Sequence, residues 1–109
     1  MSAPADTLTL LADLGGTNTR VALSRGRTVL RDTIRRYPNA AHPGLDAVLA
    51  DYLASQGGVD CAGACVAVAG PVRDGVARLT NLDWTIDGDS IAAVTRAETV
   101  AVLNDLQAQ

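Results

Sequence analysis

Asp13-Leu14-Gly15-Gly16-Thr17-Asn18-Thr19-Arg20 is the stretch on which the reading of this chain turns. Before it runs Thr7-Leu8-Thr9-Leu10-Leu11-Ala12, whose alternation reads as a half-buried strand. After it, Val21-Ala22-Leu23 reads as a second strand. Two glycines therefore sit in a tight strand-to-strand turn, with an acid just before them and hydroxyls just after. Glycine permits positive φ and close approach of a ligand to the backbone. Consecutive N–H groups in such a turn form a concave anion site. The acid repels a bare phosphate but suits one that arrives with Mg²⁺. The competing reading is a plain hairpin turn of the primed type, which needs glycine for φ alone. The turn by itself does not choose between them.

Working outward, strand one is expected at about Leu8–Leu14 and strand two at about Arg20–Ser24. Arg25-Gly26 makes a short turn, and Thr28–Tyr37 supplies a third strand, so these form an antiparallel meander. Pro38 to Gly44 is a cluster of breakers. Leu45, Val48, Leu49, Tyr52 and Leu53 recur at helical spacing, which predicts an amphipathic helix over Gly44–Ser55, ended by Gly57-Gly58. Ala62–Ala69 is nearly continuous apolar sequence, the pattern of a strand covered on both faces. Gly70-Pro71 stops it, and Val72–Leu79 reads as a small hairpin around Asp74-Gly75. Thr80–Trp84 reads as irregular. Asp87 or Asp89 caps a helix running to about Arg96, and Thr99–Leu103 is a further apolar strand. The order β-β-β-α-β-α-β is an α/β fold, with a mixed sheet of three antiparallel strands followed by helix-connected parallel ones. Ligands of such sheets collect outside the C-terminal ends of the parallel strands. The Gly15-Gly16 turn, the loop at Gly70-Pro71 and the pair Asn104-Asp105 all fall at strand ends. A doubly wound dinucleotide fold is disfavoured, because its glycine turn enters a helix and this one enters a strand.

Composition narrows the function classes. The chain has 109 residues, 48% of them hydrophobic, and no Phe, so one core must be built from small aliphatic groups. The formal net charge is −3 and there is no basic run, which argues against a nucleic-acid partner. The N-terminus lacks the basic-then-apolar pattern of a signal peptide, and the uncharged run Cys61–Val72 is too short to span a bilayer. A soluble cytoplasmic protein with no membrane association is expected. Cys61 and Cys65, read as sharing one strand face ~13 Å apart, are too distant for a disulfide. With one histidine, His42, no metal-site spacing exists.

The polar residues each carry two readings. Asn104-Asp105 either caps the next helix or, opposite a phosphate turn, supplies a base. Asp13 either closes its own Asx turn or orders Mg²⁺. Asn81 is a turn former, Trp84 a packing residue, and Arg20 a solvated strand residue that is not assigned to phosphate.

Asp13-x-Gly15-Gly16-Thr17-Asn18-Thr19-Arg20 resembles the first phosphate motif of the hexokinase–actin–heat-shock ATPase superfamily, and within it the bacterial glucokinase family. Val68-Ala69-Gly70-Pro71-Val72, then Thr80-Asn81-x-x-Trp84-x-Ile86-Asp87, then Val102-Leu103-Asn104-Asp105 match further motifs in the same order. The resemblance implies a ribonuclease H-like sheet, one half of an actin-like ATPase fold. Residues 1–109 would then be the N-terminal small domain of a sugar kinase, whose larger C-terminal domain is absent from this chain. The implied activity is ATP-dependent phosphorylation of glucose or a related hexose at the entry to glycolysis, with hinge closure around the sugar. Asp105 would be the catalytic base, and Asn104 and Asn81 would bind sugar. Asp13, Gly15, Gly16, Thr17 and Asn18 would hold the nucleotide phosphates, with Asp13 ordering Mg²⁺ through water. Thr80-Asn81-x-x-Trp84 and Gly15-Gly16-Thr17-Asn18 favour this family over the related ROK sugar kinases, and a non-catalytic sugar- or nucleotide-binding module is the reading from another class. A homodimer is expected for the complete enzyme, and no activity for the isolated chain.

Overall fold

Strand β1 (Leu8–Leu14) is the spine of the molecule, because both of its edges are paired. On one side it runs antiparallel to β2 (Asn18–Arg25), and on the other parallel to β4 (Gly63–Val68). The computed structural model describes residues 8–69, 72–73, 76–79 and 84–104. The remaining elements are β3 (Thr28–Pro38), a 3₁₀ turn (Asn39–Ala41), α1 (Leu45–Ser55), β5 (Val72–Arg73), β6 (Val76–Leu79), β7 (Trp84–Asp87), α2 (Gly88–Thr95) and β8 (Thr99–Asn104). The main sheet has the order β3-β2-β1-β4-β8, and β5-β6-β7 form a second, antiparallel sheet. This is the expected mixed sheet, antiparallel in its first three strands and parallel across β1, β4 and β8.

The core lies on one face of the main sheet. Leu10, Ala12 and Leu14 from β1, Val21 and Leu23 from β2, Ala64, Val66 and Val68 from β4, and Val102 from β8 pack there. Against them lie Leu45, Val48, Leu49, Tyr52 and Leu53 of α1 and Ile91 of α2. Those α1 positions recur at the spacing of one helical face. Gly57 and Gly58 end α1 with φ of 86° and 74°, a left-handed conformation suited to glycine. Asp87 starts α2, its Oδ1 accepting the Ser90 backbone N–H at 2.7 Å.

Three expectations need correcting. β4 is buried on one face only: Ala64, Val66 and Val68 are buried, whereas Cys65 and Ala67 are half-buried. Uniformly apolar sequence on a strand of small residues does not distinguish one covered face from two. Cys61 precedes β4 instead of sharing it with Cys65; both thiols are free. Trp84, placed in an irregular segment, opens β7 and is buried in the core. Asp74-Gly75 and residues 80–83 lie outside the described residues.

The β2–β3 pairing contains a bulge. Leu23 faces Leu30, but Val21 faces Arg35, so β3 carries three extra residues. Thr33 fills the gap: its hydroxyl donates to the Leu30 carbonyl and accepts the Leu23 backbone N–H. The Tyr52 phenol then donates to the Thr33 carbonyl at 2.8 Å, tying α1 to the bulge. Burial pushes the Tyr52 phenol above its ordinary range, and the hydrogen bond to Thr33 only partly offsets this. The folded state therefore holds this proton more tightly than the unfolded one. Its stabilising effect is complete below the ordinary tyrosine value and is lost as pH rises through the higher folded one. Tyr52→Phe should destabilise by about 1 kcal/mol near neutrality in urea unfolding, the worth of one hydrogen bond. The gap between wild type and variant should narrow as pH rises above ~10. A gap of the same size at pH 8 and pH 11 would show that the phenol is not proton-linked to folding.

Candidate functional site

Register across the parallel strands builds the site's frame. Leu14 aligns with Val68, and Val68 with Asn104, so β1, β4 and β8 end level. With strands about 4.8 Å apart, the start of the glycine turn and Asn104 stand ~10 Å apart along one edge. This is the C-terminal edge of the parallel strands, where open α/β sheets bind ligands.

The turn Gly15–Asn18 is not a primed hairpin. Primed turns require positive φ, and neither Gly15, Gly16 nor Thr17 has it; the positive-φ glycines among the described residues are Gly26, Gly57 and Gly58. The two glycines also differ. A Cβ on Gly15 would meet the Asn18 carbonyl oxygen at 3.2 Å, so the fold itself restricts that position. A Cβ on Gly16 would meet nothing within 4 Å. The packing does not ask for glycine at 16. The Gly15 N–H donates to the Asn18 carbonyl at 2.9 Å. Gly15 is therefore a wall of the site, not one of its phosphate donors as expected.

Asp13, Gly15, Gly16, Thr17, Asn18, Arg20 and Arg36 line one open concavity of about 240 Å³. Asp13 faces Arg20 across β1–β2, and Arg20 faces Arg36 across β2–β3, so three charged side chains form a row beside the turn. The Asp13 carboxylate is exposed and accepts no hydrogen bond among the described residues, so it does not close an Asx turn. The Asn18 Nδ2 donates to the Thr17 hydroxyl at 3.1 Å, orienting both polar groups at the rim. One carboxylate, a hydroxyl and two guanidinium groups suit a polyphosphate carrying a divalent cation. The donor set fits Mg²⁺ held largely by water and phosphate, for which Asp13 would be the protein anchor.

Arg20, which the sequence reading left to solvent, lines this concavity, and Arg36 was not singled out at all. Asn104 does not line it. Through its partner Val68 it belongs to the helix-covered face, opposite the side chain of Asp13. The structure thus brings Asp13 and residues 15–18 into one concavity and sets Asn104 at the same edge on the other face. Asn81 and Asp105 lie outside the described residues; Asp105 follows Asn104 directly in the chain.

The family model for glucokinase matches residues 10–109. The chain belongs to the glucokinase family. It is 33% identical over 99 residues to a glucokinase of Photorhabdus laumondii subsp. laumondii, a match covering 91% of this chain and 30% of that protein. The chain therefore spans about a third of the length of such relatives. Among solved structures it resembles a glucokinase from an Antarctic psychrotroph, with a TM-score of 0.78, 30% identity, and coverage of 93% of this chain and 33% of that one. A ROK hexokinase from Thermus thermophilus shares the fold at a TM-score of 0.67 and 19% identity, covering 91% of this chain and 35% of that one. These likenesses agree with the expected actin-like ATPase fold.

Gly16→Val tests the turn cleanly, since the fold leaves room for the side chain. Its thermal midpoint should match wild type, as for most surface substitutions. MgATP affinity, read by isothermal titration in the protein as the cell makes it, should fall about tenfold or more. Unchanged affinity would remove the turn from the phosphate site.

Proposed function

We propose that this chain carries the phosphate-binding half of a glucokinase active site, transferring the γ-phosphoryl group of MgATP to the 6-hydroxyl of glucose or a related hexose in the cytoplasm. Residues 1–109 are, in this reading, the small domain of a two-domain kinase, and the complete enzyme is a homodimer. The observation that carries it is the level ending of β1, β4 and β8, which aligns the glycine turn with Asn104 along one edge. Family membership supplies the reaction class.

Phosphoryl transfer asks a protein mainly for positioning and charge stabilisation. The N–H groups of Gly16, Thr17 and Asn18 cradle nucleotide phosphates. The Asp13 carboxylate would hold Mg²⁺ through water, and the ion would supply charge neutralisation on the phosphates. Arg20 and Arg36 offset the remaining negative charge from the same concavity. Asn104 holds a sugar hydroxyl, Asn81 lies by the sugar, and Asp105 accepts the proton of the attacking 6-hydroxyl. That oxygen forms its bond to the γ-phosphorus as the bond to the bridging oxygen of ADP breaks. A carboxylate needs no raised pKa here, because a loose transition state releases the hydroxyl proton late.

The test is a coupled assay of glucose-dependent ADP release, run on the protein as the cell makes it. Asp105→Asn should keep the shape and any capping bond yet lose about 10²–10⁴-fold in kcat. Near-normal turnover would make Asp105 a helix cap. Residues 1–109 alone should show no turnover, since few contacts from one wall must offset the cost of immobilising both substrates. Steady glucose-dependent ADP release from that chain by itself would overturn the two-domain reading.

A further inference from the structure

Asn39 sits in the 3₁₀ turn after β3, in the stretch that reads from sequence as breakers only. It is 1% exposed, although its side chain is an amide. Three of its four polar groups reach the glycine turn's segment, twenty or more residues earlier in the chain, while its backbone carbonyl accepts the His42 N–H. The Asn39 Oδ1 accepts the Thr19 hydroxyl at 2.6 Å. The Nδ2 donates to the Gly15 carbonyl at 3.1 Å. The backbone N–H donates to the Thr17 carbonyl at 2.8 Å. A buried amide is costly unless its groups are paired, so these bonds hold one another in place.

We propose that Asn39 is a positioning residue that sets the shape of the phosphate turn by drawing the Gly15 and Thr17 carbonyls to one side. In a planar trans peptide, the C=O of one residue and the N–H of the next point in opposite directions. Fixing the Gly15 carbonyl toward Asn39 therefore turns the Gly16 N–H away from it. Fixing the Thr17 carbonyl does the same for the Asn18 N–H. Asn39 itself takes no part in lining the concavity. Thr19, fully buried, orients the amide: its hydroxyl donates to Oδ1, which leaves Nδ2 aimed at Gly15. Aligned backbone dipoles bind phosphate well only when they are held before the ligand arrives. This role rests on the phosphate reading of the turn given above.

Three variants of the protein as the cell makes it test the idea: Asn39→Ala, Thr19→Val and Thr19→Ser. Thr19→Val keeps the shape and removes the hydroxyl, so it remains informative if Asn39→Ala fails to fold. Asn39→Ala and Thr19→Val should each raise KM for MgATP about tenfold, the scale of one buried hydrogen bond, with KM for glucose within about twofold of wild type. Thr19→Ser should restore wild-type values. In the ligand-free protein, the amide NMR signals of Gly16 and Asn18 should move in the first two variants and return in Thr19→Ser. An unchanged KM for MgATP in an active Thr19→Val enzyme with displaced amide signals would overturn the proposal. So would a parallel rise in both KM values, which a general loss of structure produces. If wild type shows no MgATP-dependent phosphorylation, the phosphate reading fails. The amide signals then still decide: fixed signals in Thr19→Val overturn the positioning role, and shifted ones restored by Thr19→Ser support it.

Discussion

Everything at the site depends on β1 being paired along both edges. An interior strand buried on one face has no freedom to slip, because a shift of one residue would expose Leu10, Ala12 and Leu14 and bury Asp13. That constraint fixes three things together. It places Asp13 on the open face, one residue before the strand ends. It levels the ends of β1, β4 and β8. It also delivers the glycine turn to that edge with its approach angle set by two neighbouring strands. A loop hung on an edge strand would have none of this.

The bulge in β3 has a consequence for charge. Counting back from the pair Arg25–Thr28, an unbroken hairpin would put Thr33 opposite Arg20. The three inserted residues put Arg36 there instead. An odd insertion also exchanges the two faces of the strand beyond it, since side chains alternate. Arg36 reaches the Asp13 side of the sheet only for that reason. The energy that holds the bulge comes from the core face, through Thr33 and the Tyr52 phenol. A hydrogen bond under α1 thus determines which guanidinium group stands beside the turn. The protein is acidic, with a net charge of −3, so this local pair of arginines runs against the field of the whole chain.

Much of this was legible in the residues, and the exceptions share a cause. β1 and α1 follow from periodicity and β4 and β8 from apolar runs between breakers, all of it local information. The Asp87 cap follows from a residue type at a helix start. What stayed hidden depends on contacts distant in sequence. β7 is four residues long, and its Trp84 reads equally as loop or strand until β6 is beside it. Arg36 is invisible because no turn signal marks the bulge. Asn39 sits among Pro, His and Gly, where an Asn reads as one more turn former. The two glycines of the motif look equivalent in sequence, yet a side chain at Gly15 would crowd the Asn18 carbonyl and one at Gly16 would meet nothing within 4 Å. The site residues Asn81 and Asp105 rest on motif resemblance alone.

The difference between Gly15 and Gly16 bears on how a phosphate turn is made. Of the two reasons the sequence offers for these glycines, positive φ and close approach of a ligand, positive φ applies to neither. The turn has no positive φ, and two of its carbonyls are held from outside: Gly15's by the Asn39 side-chain amide and Thr17's by the Asn39 backbone N–H. A turn shaped by its own dihedrals needs no partner and can move with its loop. One shaped by a buried side chain is tied to the sheet and the core, at the expense of a polar group placed where water cannot reach it. That arrangement suits electrostatic stabilisation, whose value lies in dipoles that do not reorganise when charge develops. It also separates the two glycines: the fold crowds a side chain at Gly15 and leaves room for one at Gly16.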